Sequence, residues 1–185
     1  SMKKCIGGVI LYDETIKQSS NSKKTIPELI SSSGAIPGIK VDIGAKVLAG
    51  SPQEKITEGL DGLRERLKEY YKLGARFTKW RAVYKISNDY PSKLSIYSNA
   101  HALARYSALV QESRMVPIIE PEVLMDGEHS AEECFNKTSE VIKKCYEELI
   151  KHKVDLKGTI LKPNMILPGS SSKNNIDSKK IAELT

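Results

Sequence analysis

The 185-residue sequence predicts an α/β fold with a parallel sheet, and three observations support this prediction. Five short, β-prone apolar stretches recur along the chain. Amphipathic helical patterns lie between them, and charged residues near the strand ends recur at similar intervals. Strands that alternate with helices are typical of βα units, whose strands run parallel. We therefore expect a single partial (β/α)8 barrel domain over residues 1–185, with about five βα units.

The five predicted strands are short and are bounded by glycine, proline or polar residues. In the last of them, Pro163 directly follows Lys162 and restricts that lysine to an extended backbone, so a helix is not expected there. A lysine at the end of an apolar strand either reaches water or lies in a site that needs an amine. The predicted strands are residues 7–11, 38–42, 77–81, 116–122 and 158–164.

Three helices are predicted between these strands, over residues 60–73, 92–113 and 131–151. Gly74 is placed to end the first. The third begins with Ser130 and Glu133, the S-x-x-E pattern of a capping box. Its apolar positions recur at steps of three and four residues, which places Cys134 and Cys145 on a buried stripe.

Two polar stretches, residues 19–24 and 169–178, are predicted to be loops rather than domain linkers. A last short helix is expected after the second loop, and Asp177 or Ser178 is suited to cap it.

Composition narrows the functional classes. Hydrophobic residues make up 39% and charged residues 28% of the chain, as in globular proteins, and no apolar run approaches the roughly 18 residues of a membrane span. The net charge of +6 attracts anions, but no Arg-rich run or nucleic-acid-binding motif is present, so we expect no nucleic-acid partner. Three cysteines without a CxxC pair predict neither a disulfide framework nor a metal site, and they favour a cytoplasmic protein with reduced thiols.

Four charged residues in the predicted strands are separated by 39, 41 and 42 residues, which is room for one βα unit with its loops. We interpret them as equivalent positions in successive units. In a (β/α)8 barrel the active site lies where the C-terminal ends of the strands meet. The four residues are Lys40, Lys79, Glu120 and Lys162.

Alternation along each strand extends this set. Residues i and i+2 of a strand share a face. Asp42 therefore lies on the same face as Lys40, Arg81 on that of Lys79, and Glu122 on that of Glu120. Trp80 points the other way, towards the helices. Charges buried against the helix layer would be strongly desolvated, but charges at the barrel mouth can pair. We therefore predict a site of four cations and three carboxylates, and the pattern fits packing alone poorly.

Such a site suits amine chemistry. Neighbouring cations and partial burial lower the pKa of a lysine, and a neutral amine can attack a carbonyl to form a Schiff base. A carboxylate can move the protons that carbinolamine dehydration requires, and the remaining cations can hold phosphate.

Several long strings resemble the class I, or Schiff-base, fructose-bisphosphate aldolase family, in the order and spacing of that family. The resemblance covers essentially the whole chain. It implies reversible cleavage of fructose 1,6-bisphosphate to dihydroxyacetone phosphate and glyceraldehyde 3-phosphate, a lyase step of glycolysis that needs no metal or cofactor. The strings are "GIKVDIG", "GLDGL", "KWR", "ALARYSALVQE", "VPIIEPEVLMDGEH" and "LKGTILKPNM".

The resemblance also implies residue roles. Lys162 matches the Schiff-base lysine, and Glu120 matches the acid and base around carbinolamine formation. Lys79 matches a lysine that assists carbinolamine formation and carbon–carbon cleavage, and Glu122 a carboxylate that orders the lysines. Lys40 and Arg81 match residues near substrate phosphate, with Asp42 in support.

The chain departs from the family pattern in two ways. Lys157 precedes Gly158, where the family usually has glutamate. The family's first strand, with its catalytic aspartate, and its last two strands have no counterpart. We therefore expect a fragment with impaired turnover, whose unclosed sheet edges favour self-association into a homo-oligomer.

Two alternatives remain open. One is another Schiff-base aldolase of sugar phosphates, such as a transaldolase, although the "EPE" and "KWR" strings favour the fructose-bisphosphate family. The other is a non-catalytic module that binds acidic partners such as actin through its basic residues.

Overall fold

The structure, a computed structural model, describes residues 2–21, 23–173 and 176–185. The helices are α1 Met2–Cys5, α2 Asp13–Ile16, α3 Ile26–Ser32, α4 Leu63–Lys72, α5 Lys93–Glu112, α6 Ala131–Lys151 and α7 Ser178–Leu184. The strands are β1 Gly8–Leu11, β2 Ile36–Lys40, β3 Ala45–Leu48, β4 Ser51–Thr57, β5 Phe77–Tyr84, β6 Val116–Val123 and β7 Ile160–Leu161.

Five strands form one parallel sheet in the order β1-β2-β5-β6-β7, and each of the five predicted strands overlaps one of them. The strand neighbours in the sheet therefore follow chain order once the β3–β4 hairpin is set aside. This is the arrangement expected when each strand is followed by a crossover to the next position of the same sheet.

The register of the sheet brings the four regularly spaced charges to one end. Lys40 lies opposite Lys79. Between β5 and β6 the partner of Glu120 is Arg81. The Lys162 amide, just after β7, donates to the Ile119 carbonyl at 2.9 Å. The prediction of equivalent positions is therefore correct only in part: Lys40 and Lys79 share one level of the sheet, whereas Glu120 lies two residues further along, at the level of Arg81.

The outer face of the sheet packs against the long helices. Trp80 is fully buried there, and its ring centroid lies 5.2 Å from that of Tyr106 on α5. The Tyr106 hydroxyl lies 2.6 Å from the Thr78 hydroxyl and donates to the Ile118 carbonyl at 3.2 Å. Trp80 therefore points away from the charged set, as the alternation along β5 predicted.

The inner face depends on small residues in two strands. A Cβ atom at Gly38 would overlap the Phe77 ring, and one at Gly8 would press against the same ring. The two glycines thus leave the space in which Phe77 lies across β1 and β2.

The predicted helices are confirmed, with starts that the caps explain. The Ser130 and Glu133 capping box opens α6, the Ser92 side chain caps α5, and the Asp177 side chain caps α7. Cys134 and Cys145 are buried on α6. The predicted loops 19–24 and 169–178 lie outside helices and strands where they are described, except that Ser178 begins α7, and positions 22, 174 and 175 lie outside the described residues.

Besides the one-turn helices α1 and α2, two further features were not predicted. One is the antiparallel β3–β4 hairpin, most of whose side chains are exposed or partly exposed, which leaves little apolar pattern to read. The other is α3, although Thr25 and Glu28 form a capping box with Pro27 in its first turn. That T-x-x-E pattern is a signal that could have located α3. Among the described residues, no helix combines the length and hydropathy required of a membrane span.

Candidate active site

Glu120 is the centre of the charged set. Its carboxylate is nearly buried near the end of β6, and each oxygen faces a different lysine. Lys162 Nζ donates to Oε1 at 2.5 Å, and Lys79 Nζ lies 2.9 Å from Oε2, close enough for an ion pair but outside hydrogen-bond geometry. A buried carboxylate requires such compensation, since desolvation of an unpaired charge is costly. One carboxylate thus contacts both amines.

The two lysines differ in access. The Lys162 side chain is 58% exposed, whereas that of Lys79 is 18% exposed. Lys162 can therefore be reached by a solute, while Lys79 lies deeper on the strand.

A second ion pair lies one step further along the same two strands. Arg81 Nε donates to Glu122 Oε2. This contact holds the pKa of the Glu122 carboxyl below its usual range and raises that of the guanidinium. Glu122 had been expected to order the lysines, but its direct partner here is Arg81, and Glu120 is the carboxylate that contacts both lysines.

The third pair lies at the end of β2. Lys40 Nζ donates to Asp42 Oδ1 at 2.5 Å, and the same oxygen accepts from the Gly44 amide at 3.1 Å. Asp42 Oδ2 faces the Arg81 amide at 3.4 Å. The predicted pairing of Lys40 with Asp42 is thus present, and Asp42 links the end of β2 to β5.

The segment after Lys162 is fixed by Asn164. The Val123 amide at the end of β6 donates to Asn164 Oδ1 at 3.0 Å, and Asn164 Nδ2 donates to Thr138 Oγ1 of α6 at 3.2 Å. This side chain replaces the strand pairing that ends at β7 and keeps Lys162 beside β6. The sequence analysis did not assign Asn164 this role.

A large cleft lies beside Lys40 and Asp42 rather than around Lys162. Its volume is about 820 Å³, and its walls include Tyr12 and Arg66. Arg66 Nη1 donates to the Val41 carbonyl at 2.9 Å, which ties α4 to the strand end. Neither Tyr12 nor Arg66 was predicted. Arg66 precedes the buried Leu67 on α4. In the sequence it cannot be distinguished from a charged residue on the exposed side of the helix.

His129, in the loop after β6, is buried, and burial lowers its pKa. His101 lies on α5 and lines the cleft beside Lys40 and Asp42, and His152 lies at the end of α6.

The arrangement has a definite chemical capacity. An accessible amine lies against a carboxylate that can accept or return a proton, and a second lysine contacts the same carboxylate. Lys40 and Arg81 add positive charge on the same face of the sheet, although each already has a carboxylate partner.

Comparison with known proteins was made on sequence and on structure. The family model described as "Fructose-bisphosphate aldolase class-I" matches residues 1–185. A probable fructose-bisphosphate aldolase class 1 from Xylella fastidiosa is 51% identical over 180 residues, which are 97% of this chain and 54% of that protein. The cytosolic fructose-bisphosphate aldolase 4 of Arabidopsis thaliana is 49% identical over 97% of this chain and 46% of its own length.

A solved structure extends the similarity to three dimensions. The chain matches fructose-bisphosphate aldolase from Plasmodium falciparum, solved in complex with TRAP and a small-molecule inhibitor, with a TM-score of 0.94 and 43% identity. The match covers 97% of this chain and 52% of that one. The five-stranded sheet is therefore part of a (β/α)8 barrel, and the chain spans about half the length of the curated relatives it matches.

Proposed function

The chain belongs to the class I fructose-bisphosphate aldolase family, and we propose its function on that basis. The proposed reaction is the reversible cleavage of fructose 1,6-bisphosphate to dihydroxyacetone phosphate and glyceraldehyde 3-phosphate, a lyase step in glycolysis. The single observation that carries it in this chain is the contact of Lys162 and Lys79 with opposite oxygens of Glu120.

Lys162 is the proposed nucleophile. Its Nζ adds to the C2 carbonyl of the sugar phosphate, and proton transfer from nitrogen to oxygen gives a carbinolamine. Before the addition, Glu120 takes a proton from the Lys162 ammonium and so frees the amine; it later delivers this proton to the carbinolamine hydroxyl, so that water departs and an iminium forms. The 2.5 Å contact between Lys162 Nζ and Glu120 Oε1 supports this assignment, since no further movement is needed for proton transfer.

The iminium then accepts the electron pair of the C3–C4 bond. As the bond breaks, the C4 hydroxyl loses its proton, the aldehyde product leaves, and an enamine of the three-carbon phosphate remains on Lys162. Protonation of that enamine and hydrolysis of the resulting iminium release dihydroxyacetone phosphate. The resemblance assigns Lys79 to assistance in these steps, and its ion pair with Glu120 supports a role beside that carboxylate.

The substrate phosphates are proposed to bind near Lys40 and Arg81. Both cations already pair with carboxylates, so a phosphate must share or replace those partners. We propose Asp42 as the residue that positions Lys40, and Glu122 as the residue that positions Arg81.

The test is reductive trapping with dihydroxyacetone phosphate and sodium borohydride, followed by peptide mass mapping. We expect one adduct on the peptide that contains Lys162, lost in Lys162→Arg and retained in Lys157→Arg, a matched lysine five residues earlier and outside the site. Adducts spread over surface lysines, or an unchanged yield in Lys162→Arg, would contradict the assignment.

Oligomeric state and cellular location are further parts of the proposal. Among the described strands, β1 and β7 each pair on one side only, and exposed strand edges favour association between copies. We propose a homo-oligomer in the cytoplasm, a location supported by the name of the cytosolic Arabidopsis relative. A stable monomer at micromolar concentration in sedimentation experiments would contradict the association.

A further inference from the structure

Two histidines and a glutamate come together on the helix layer, and one of them, His101, also lines the cleft beside Lys40 and Asp42. His101 lies on α5, Glu148 on α6, and His152 directly follows α6. One ligand atom from each lies within 4.8 Å of those of the other two. We propose that these three residues bind one divalent transition-metal ion, with Zn²⁺ as the best fit, and so join α5 to α6.

The donor set matches the chemistry of zinc. Two imidazoles with one carboxylate are a recurrent zinc set, and they leave a fourth position for water. Around a tetrahedral ion with bonds of roughly 2.0–2.2 Å, ligand atoms lie roughly 3.3–3.5 Å apart. His101 Nδ1 and Glu148 Oε2 already lie 3.6 Å apart, and the His101 side chain is 53% exposed, so it can rotate to close the remaining gap.

His152 is held in a form that can bind a metal. Its Nδ1 lies 2.9 Å from the Glu148 carbonyl oxygen. Because a carbonyl only accepts hydrogen bonds, Nδ1 carries the proton in this contact, and the lone pair of the neutral ring is on Nε2. Metal-binding histidines characteristically donate their second ring N–H to a backbone carbonyl or carboxylate in this way. The His101 ring meets the His152 ring edge-on, with centroids 4.9 Å apart.

Glu148 keeps one oxygen directed at the histidines. Lys151 Nζ and Lys144 Nζ lie 2.9 and 3.4 Å from Oε1, whereas Oε2 faces His101. The lysines lower the pKa of the Glu148 carboxyl, which keeps it charged at neutral pH. A monodentate bond from Oε2 leaves both lysine contacts in place. The same two ammonium groups repel a dication, so we expect micromolar rather than nanomolar affinity.

The test is isothermal titration of the 185-residue chain with zinc chloride in chelator-free buffer at neutral pH. We expect one Zn²⁺ per chain and a rise in the thermal midpoint with zinc concentration, because the ion binds the folded helix pair. His101→Ala should weaken binding at least tenfold, and Glu148→Gln should do the same. His101 is exposed, so the alanine variant is not expected to disturb folding.

Two controls make the test specific. Cys5→Ser removes the one exposed thiol among the described residues, a competing zinc ligand, and should leave the affinity unchanged. Lys151→Gln removes one repelling charge and should tighten binding by up to roughly tenfold. Absence of stoichiometric binding at 100 µM zinc, a concentration roughly ten times the expected dissociation constant, would overturn the proposal. So would unchanged affinity in His101→Ala.

Discussion

The two faces of β5 carry different kinds of interaction, although their residues alternate along one strand. Trp80, on the outer face, is fully buried and packs on Tyr106 of α5. Lys79, its immediate neighbour, points to the inner face and pairs with Glu120 of β6. Outer-face contacts are made by close packing against a helix, and inner-face contacts by ion pairs between strands.

This difference separates stability from chemistry within a single strand. Outer-face side chains gain free energy by leaving water, and cores of this density respond to the loss of even small groups. The inner-face cations remain partly hydrated beside more deeply buried carboxylates, and Lys162 holds its charge where a solute can reach it. The fold should therefore be sensitive to changes on one face, and Schiff-base formation to changes on the other.

The largest effect on stability is expected from Trp80→Ala. Loss of this buried ring leaves a cavity against Tyr106, and we expect the free energy of unfolding to fall by about 3–5 kcal/mol. Urea denaturation followed by circular dichroism measures it.

The matched control is Lys79→Met, one residue away on the other face. We expect its free energy of unfolding to fall by about 1–3 kcal/mol, because buried Glu120 loses one of its two cations but keeps Lys162. Similar losses in Trp80→Ala and Lys79→Met would contradict the separation of the two faces.

The inner face also has a closely packed region, where Phe77 lies over Gly38. Gly38→Ala tests whether this part of the inner face is as sensitive to packing as the outer face. The new Cβ would overlap the Phe77 ring, and overpacking of this kind costs about 1–3 kcal/mol. In a Phe77→Ala background the same substitution should cost much less, because the ring is absent. A double-mutant cycle in urea measures the coupling, and an additive result would show that Phe77 is not the cause.

The smallest effect is expected from the Arg81–Glu122 ion pair. The pair lowers the pKa of the Glu122 carboxyl in the folded state, so its stabilisation is present above the unfolded pKa and is lost as pH falls through the folded one. Because the Arg81 side chain is 42% exposed, we expect less than about 1 kcal/mol.

The measurement for this pair is the free energy of unfolding between pH 3 and pH 7. This range brackets the usual glutamate pKa of about 4.3. Arg81→Met should flatten the part of the curve that Glu122 contributes. A curve with the same shape in the variant would show that other carboxylates account for the acid dependence.

Periodic patterns in the sequence predicted the repeated βα units of the fold. Each strand combines β-prone residues with a flanking turn, and α6 opens with a capping box, so local chemistry and the tertiary fold agree at these positions. The β3–β4 hairpin was not predicted because it is mostly exposed. It is held to the barrel by side chains distant in sequence, such as Asn99, which accepts from the Thr57 amide at 3.2 Å.

The candidate site could be predicted only in part. Spacing and alternation identified the seven charges, since both depend on the strand period. Which carboxylate meets which cation depends on the stagger between strands, where Arg81 rather than Lys79 lies opposite Glu120. Asn164 and Arg66 were missed because each acts through backbone groups of distant segments, and no local pattern records such partners.

The most direct test of the central claim compares two neighbouring carboxylates in the trapping reaction. Among the carboxylates of the described residues, Glu120 is the one that pairs with Lys162, so we expect Glu120→Gln to slow adduct formation at Lys162 by about 10²–10⁴-fold, the usual contribution of a general acid–base group. Glu122→Gln, whose direct partner is Arg81, should slow it less than tenfold. Equal losses in the two variants, or an unchanged rate in Glu120→Gln, would contradict the assignment of Glu120 as the carboxylate that serves the Schiff-base lysine.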